Sequence, residues 1–239
     1  MLGTINPVKL IVEMAHQRGN IAVFVDGAQA APHMPVDVRE LGCDFYAFSG
    51  HKMGGPSGVG VLYGRKEWLE KLPPYQMGEE MVETVGIARK GFSGETKFKP
   101  APDKFEGGTQ SFVEIIGMGA VIDYLNGIGR QNISDYEEGL LYYALDKLER
   151  LDRVRIVGTA PEKEPLVSMT LDGIKAKDAE SWFNKNTGIA LRAGELSAQP
   201  LMRFLGLEGV LRMSLGYFNT TQEIDRFVDA LQQCIEAKG

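Results

Sequence analysis

The sequence predicts an α/β fold in two portions: a mostly parallel sheet with covering helices over residues 1–126, then a small α+β portion over residues 127–239. Two early segments, "IAVFVDGAQA" and "CDFYAFSG", are continuously apolar with helical stretches around them, the pattern of strands buried on both faces. Beyond residue 150 the strands become short and partly alternate with polar residues, as strands with one wet face do.

The elements follow in order. Asn6 and Pro7 form a helix start, and Gly19 ends that helix after "VKLIVEMAHQR". The strand "IAVFVDGAQA" comes next, then a helical stretch from Pro32 to Leu41, then the strand carrying Tyr46. Residues 86–110, rich in Gly, Lys and Pro without a period, predict a long ordered loop that serves a site or a partner. A helical region runs from Phe112 to Leu151, broken near Gly127-Ile-Gly129, with Ser134-x-x-Glu137 as a capping box restarting it. Four strands, "RVRIVG", "PLVSMTLDG", "GIALRAG" and "VLRMSLGYF", follow with helices at about 177–186 and 198–205 between them. A second capping box, Thr220-x-x-Glu223, opens a last helix with Ile224, Phe227, Val228, Leu231 and Ile235 on one face.

Composition narrows the function classes. The 239 residues are 44% hydrophobic and 24% charged, ordinary for a globular protein, and the net charge of -6 argues against nucleic acid as a partner. No apolar run approaches the ~20 residues of a membrane span, and the start lacks a signal-peptide pattern. Two cysteines, Cys43 and Cys234, make no disulfide framework and suit a reducing cytoplasm. His16, His33 and His51 lack metal-ligand spacing, so no metal is expected.

Chemistry concentrates where two strands stop. One ends in Asp26-Gly27-Ala28-Gln29, the other in Ser49-Gly50-His51-Lys52. Ligands of open α/β sheets collect beyond the carboxyl ends of the strands, so an acid, an amide, a hydroxyl, an imidazole and an amine converge there. Pyridoxal 5'-phosphate chemistry needs this set: a desolvated lysine for the Schiff base, a carboxylate facing the pyridinium nitrogen, and donors for the phosphate. A P-loop does not fit Gly50 to Ser57, and the glycines of "GGPSGVG" alone are turn chemistry. Residue chemistry by itself leaves two readings open for Lys52, a cofactor anchor or a surface lysine after a core strand.

The run "VFVDGAQA…PVDVRELGCDFYAFSGHKMGGPSGVGVLYGRKEWLEKLPP", with "FEGGTQS", "LRAG", "PLM" and "VLRMSLGYFNTTQEID", resembles the class V aminotransferases, and within them the cysteine desulfurases of the sulfur-mobilisation type. The resemblance implies the fold-type I architecture of pyridoxal phosphate enzymes and a place in sulfur metabolism. It implies that Asp26 meets the pyridine nitrogen, Gln29 the ring hydroxyl, Ser49 and His51 the phosphate, and that Lys52 carries the covalent link. Thr109 would reach the phosphate of a neighbouring subunit, which implies a homodimer, and Arg212 with Arg192 would bind the substrate carboxylate.

Two departures stand out. Such families carry a nucleophilic cysteine within Arg-Thr-Gly-His-His-Cys-Ala-Met-Pro-Leu-Met; here the segment is Arg192-Ala193-Gly194-Glu195-Leu196-Ser197-Ala198-Gln199-Pro200-Leu201-Met202. A cysteine of pKa ~8.5 is a few per cent thiolate at neutral pH; a serine needs an adjacent base and stores no persulfide. Ser197 is expected to be inactive and to cap the helix through Leu205. A selenocysteine lyase-like reaction, whose leaving group departs unaided, asks less of that position. The resemblance also implies that the chain is a C-terminal half, so that it pairs with a missing N-terminal half or with a complete homologue. An unpaired sheet edge would follow.

Overall fold

The computed structural model describes residues 1–86 and 94–238. The chain forms two compact units. The first holds Pro7–Pro32 and Val36–Gly127; the second holds Met1–Asn6, His33–Pro35 and the chain from Ile128 onward.

In the first unit, helix α1 (Val8–Gln17) precedes strand β1 (Phe24–Asp26), the short helices α2 (Ala30–His33) and α3 (Val38–Leu41), strand β2 (Phe45–Ser49), a 3-10 turn at Gly50–Met53 and strand β3 (Gly60–Gly64). The sheet order is β1-β2-β3, with β1 and β2 parallel and β3 antiparallel to β2. The α/β architecture expected from the sequence is present, and this sheet is mixed. α1 starts at Val8 without a side-chain cap, so Asn6 does not supply the cap its position suggested.

Register divides the sheet into two unlike faces. Cα partners share a face, and residues two apart along a strand share it too. Val25, Tyr46, Phe48 and Tyr63 therefore lie on one face, where they pack with Val8, Val12, Val38 and Leu41 of α1 and α3. Phe24, Asp26, Phe45, Ala47, Ser49 and Leu62 lie on the other. Helix α4 (Lys66–Lys71) covers one end of that second face, where Trp68 lies 6.3 Å from the Phe45 ring. The rest is open: Phe24 is 57% and Leu62 56% exposed. The expectation of a strand buried on both sides fails at β1, because α1 and α3 pack on one face while α4 reaches only one end of the other.

β1 enters the sheet through a buried carboxylate. Asp44, 4% exposed, accepts hydrogen bonds from the Val23 N–H at 2.8 Å, His16 Nε2 at 2.8 Å and Trp68 Nε1 at 3.0 Å. Burial opposes its ionisation, yet those three bonds outweigh burial and hold the carboxyl below its ordinary value.

The region expected as one loop over 86–110 falls partly on residues 87–93, which lie outside the described residues. Its described part carries β5 (Lys97–Phe98), paired with β4 (Val82–Thr84), and a 3-10 turn at Asp103–Phe105. Helix α5 (Phe112–Ile128) follows, and Gly117 lets the Pro56 ring approach to where a Cβ would sit 2.7 Å away.

In the second unit, helices α6 (Arg130–Leu148), α7 (Ala176–Asn186), α8 (Gln199–Leu205) and α9 (Thr221–Lys238) accompany strands β6 (Val154–Val157), β7 (Leu166–Leu171), β8 (Arg192–Gly194) and β9 (Val210–Ser214). The strands form one antiparallel sheet of order β6-β7-β9-β8. Leu140 and Leu148 of α6, Phe183 of α7, and Ile224, Phe227 and Leu231 of α9 form the core with Val167 and Met169. Glu223 of α9 closes the second capping box: its carboxylate accepts from the Thr220 N–H at 2.9 Å, and its own N–H donates to Thr220 Oγ1 at 3.3 Å.

The first capping box is not used. α6 starts at Arg130 after Gly129 (φ 94°), four residues before Ser134. Glu137 instead turns inward, 1% exposed, and lies 2.9 Å from His33 Nδ1. Burial pushes the nearby Glu164 carboxyl up to about 7, with the His33 charge opposing and the Glu137 charge adding to the rise. Burial lowers the His33 pKa, but the Glu137 hydrogen bond and the charges of Glu137 and Glu164 outweigh burial and Arg130, so its net shift is upward.

Both shifts make the folded unit hold protons that the unfolded chain releases. Their stabilisation is complete below the unfolded values and is lost as pH rises, for Glu164 between its ordinary 4.5 and about 7. Urea midpoints should therefore fall from about pH 5 to about pH 8, and Glu164→Gln should flatten the fall. A midpoint that rises over that window would contradict the assignment.

Candidate cofactor and substrate site

The residues expected to bind a cofactor sit on neighbouring strand ends of the first unit. Asp26 closes β1 and pairs in register with Ala47 of the parallel strand β2. Ser49 stands two residues beyond Ala47, so Asp26 and Ser49 share the open face. The Ala28 N–H donates to Asp26 Oδ1 at 3.0 Å and steadies the carboxylate at the strand end. Gly27 is required by packing: a Cβ there would stand 1.9 Å from the Tyr46 ring, whose strand runs directly beside it.

His51 and Lys52 lie in the 3-10 turn immediately after Ser49, and Gly54 (φ 85°) ends that turn in the left-handed region glycine favours. Gln29, His51 and Lys52 are exposed. The desolvation expected for the Lys52 amine is not supplied within this unit, because the sheet face beside it is largely uncovered. Thr109 stands just before helix α5. It lines an open cavity of about 540 Å³ with Glu80, Lys99, Asp103, Gln110 and Phe112, which includes none of Asp26, Ser49, His51 or Lys52.

The donor set fits pyridoxal phosphate. A carboxylate, a hydroxyl, an imidazole and an amine stand at consecutive strand ends of one sheet, each in reach of solvent and none in an ion pair among the described residues.

The second unit carries the arginines. Arg192 of β8 and Arg212 of β9 are direct cross-strand partners. Two like charges facing each other across a ladder are unfavourable unless an anion joins them. Neither pairs with an acid among the described residues, and Arg212 Nε is buried without a hydrogen-bond partner. Burial, then the Arg192 charge, pulls the Arg212 guanidinium below its ordinary pKa.

Ser197 also belongs to the second unit. Its backbone and that of Leu196 adopt φ of 59° and 52°, an unusual run for two residues other than glycine. The expected N-cap role is wrong: Ala198 occupies that position, and α8 has no side-chain cap. The left-handed backbone at Ser197 carries the chain one residue further before the helix begins. Ser197 is exposed and lines a cavity of about 550 Å³ with Lys177, Glu195, Gln199 and Glu208. The nearest acid in sequence, Glu195, is engaged by Gln199 Nε2 at 2.7 Å. Cys43 and Cys234 are fully buried, and burial pushes both thiols up, away from the thiolate form.

Sequence reasoning missed the His33–Glu137–Glu164 cluster. One signal was available: Glu137 interrupts the buried stripe Ile133, Leu140, Leu141 and Ala144 of α6. The partner 104 residues away left no local trace.

Comparison with known proteins places this arrangement. The model of the aminotransferase class-V family matches residues 1–227. A probable cysteine desulfurase of Halalkalibacterium halodurans is 45% identical over 240 residues, covering 100% of this chain and 57% of the relative. The crystal structure of the Escherichia coli cysteine desulfurase CsdA (S-sulfonic acid) superposes with a TM-score of 0.91 at 34% identity, covering 100% of this chain and 57% of that one. A C-DES mutant with glycine covalently linked to its PLP cofactor, at 24% identity and a TM-score of 0.78, shares the fold over 96% of this chain and 57% of its own. The chain thus spans a little over half the length of each of these three proteins. With a family match over nearly its whole length, and a backbone that follows a desulfurase throughout, this chain belongs to the class-V aminotransferases.

Proposed function

We propose that this chain is a pyridoxal 5'-phosphate protein of the cysteine desulfurase type, acting on a cysteine-like amino acid and unable to form a persulfide. The observation that carries this reading is the placement of Asp26 and Ser49 on one sheet face, with His51 and Lys52 in the turn that follows. When bound, the cofactor supplies an electron sink for bonds at the substrate α-carbon. Asp26 holds the proton on the ring nitrogen, and Gln29 donates to the ring hydroxyl. Ser49 and His51 bind the phosphate. Lys52 anchors the cofactor and carries a proton to and from the α-carbon. Arg212, with Arg192 beside it, binds the substrate carboxylate, which removes the repulsion between the two guanidinium groups. Thr109 reaches the phosphate of a neighbouring subunit in a dimer.

Ser197 is chemically idle in this account. Its hydroxyl has no base hydrogen-bonded to it among the described residues, and both cysteines are buried. Sulfur transfer to the protein is thereby blocked, whereas elimination from selenocysteine or cysteine sulfinate needs no attack from position 197. The reducing cytoplasm is the compartment that suits two free thiols.

The test is an assay of sulfide release from cysteine in the presence of a reductant. The expected result is no sulfide above a Lys52→Ala control. Robust release that depends on Lys52 would overturn the reading of Ser197.

A second reading, a subunit that binds a partner without turning over, is favoured by one observation. The sheet face that carries Asp26 is uncovered, and the Lys52 amine is exposed.

A further inference from the structure

The second unit includes a short piece of chain from far outside its main body, His33–Pro35: the chain leaves the first unit after Pro32 and returns to it at Val36. Two polar ties hold this piece to α6. His33 Nδ1 lies 2.9 Å from Glu137 Oε2, and Arg130 Nη2 donates to the Met34 carbonyl at 3.1 Å. A third charged group comes from the loop before β7, where Glu164 acts on His33 by its charge and its N–H donates to the Gly3 carbonyl at 2.7 Å. Its neighbour Lys163 is engaged by the Gly158 carbonyl at 2.6 Å.

Glu137 is 1% exposed, and its second oxygen, Oε1, is buried without a hydrogen-bond partner among the described residues. A carboxylate so placed depends on the charge opposite it. While His33 is protonated the pair is balanced, Arg130 adds a second positive charge, and a neutral Glu164 adds none. As pH rises, Glu164 ionises at its raised value of about 7, and His33 loses its proton above its ordinary 6.5. Two carboxylates then share Arg130 alone. Removing one charge of a buried pair is strongly destabilising, because the other is left uncompensated. The smallest relief is local: His33 and Met34 leave α6, and water reaches Glu137.

We infer that the His33–Glu137 pair is a pH-sensitive clasp, which holds residues 33–35 to α6 while His33 is protonated and releases them once it is neutral. His33 is the last residue of α2 and stands four residues after Gln29. At its start α2 is tied by the Ala31 N–H, which donates to the Gly27 carbonyl at 2.9 Å. Release keeps that tie and gives up the one at the other end, so the run from Asp26 to Gln29 is held less firmly. Cofactor retention should then fall as pH rises. That consequence rests on the function proposed above; the clasp itself does not.

The experiment is hydrogen exchange of the cofactor-free chain, corrected for the intrinsic pH dependence of exchange, with β7 as the reference for the core. Protection of residues 30–37 is expected to fall at least about tenfold between about pH 6 and about pH 9, and that of β7 to fall less. Glu137→Gln and His33→Gln should show the low protection at every pH. Glu164→Gln keeps the pair, so it should retain protection at the acid end and lose less at the alkaline end. Circular dichroism checks that each variant folds; should either change to the pair prevent folding, the wild type and Glu164→Gln still decide. A proton NMR titration, with the His33 signal assigned by its absence from His33→Gln, should place the His33 pKa above 6.5. Protection of residues 30–37 that does not change with pH, or that falls equally in His33→Gln, would overturn the inference. So would a His33 pKa below 6.5. Retention of added pyridoxal phosphate that is indifferent to pH while the exchange behaves as expected leaves the clasp standing and removes its link to Gln29 alone.

Discussion

Asp44→Ala is expected to lower stability by about 3–5 kcal/mol, one of the largest losses available to a single substitution outside the apolar core. The carboxylate is buried and accepts from the Val23 N–H, His16 and Trp68 at 2.8, 2.8 and 3.0 Å, with Arg65 Nε 3.7 Å away. Alanine removes the acceptor that the part-buried Val23 N–H, His16 and Trp68 donors share. Each unsatisfied donor costs about 1–3 kcal/mol, more for a charged one. The partners come from α1, the entry to β1 and α4, so the first unit loses the tie among three elements at once. Urea unfolding monitored at Trp68 measures the loss, and a change below about 1 kcal/mol would show that the network contributes little. Asp44→Asn should fall between the two, because it keeps an acceptor oxygen. The contribution of Asp44 is present above its ordinary pKa and disappears on strong acidification, the opposite sense to Glu164.

Arg212→Ala is expected to weaken binding of an amino-acid carboxylate by about 10- to 100-fold, the loss of a charge-assisted pair worth ~1.5–3 kcal/mol. The measurement is titration of the cofactor-loaded protein with alanine, followed by the change in visible absorption. Arg192→Ala should cost less, because Arg192 is exposed while Arg212 Nε is buried and unpartnered. Arg212→Lys keeps the charge and loses the bidentate fork, so it should recover part of the affinity only. The visible spectrum without amino acid should be unchanged in all three variants. An Arg212→Ala protein that binds alanine as the wild type does would remove Arg212 from the substrate site.

Much of this was legible because short-range rules governed it. The capping box at Thr220 and Glu223 forms as its spacing requires, and the apolar repeat behind it buries Ile224, Phe227 and Leu231. The two polar strand ends were legible for the same reason, since a run that changes abruptly from apolar to polar marks where a strand leaves the sheet. The failures share a different cause. Ser134-x-x-Glu137 has the right spacing, but α6 already starts at Arg130, so Ser134 lies inside the helix, and Glu137 turns inward to His33, a partner far away in sequence. Ser197 looked like a cap because serine favours caps; the left-handed turn at Leu196 and Ser197 uses no glycine and so leaves no mark in the sequence. β1 read as a strand buried on both faces because its residues are apolar on both, and composition does not say whether the second cover lies within the same unit.

The central claim is that the amine of Lys52 and the carboxylate of Asp26 hold one cofactor between them. Addition of pyridoxal 5'-phosphate to the purified chain, followed by gel filtration and a visible spectrum, tests it most directly. A retained absorption band that disappears on borohydride reduction, is absent from Lys52→Ala and is weakened in Asp26→Ala is the predicted result. Wild type and Lys52→Ala retaining the same band, or neither retaining any, would contradict it.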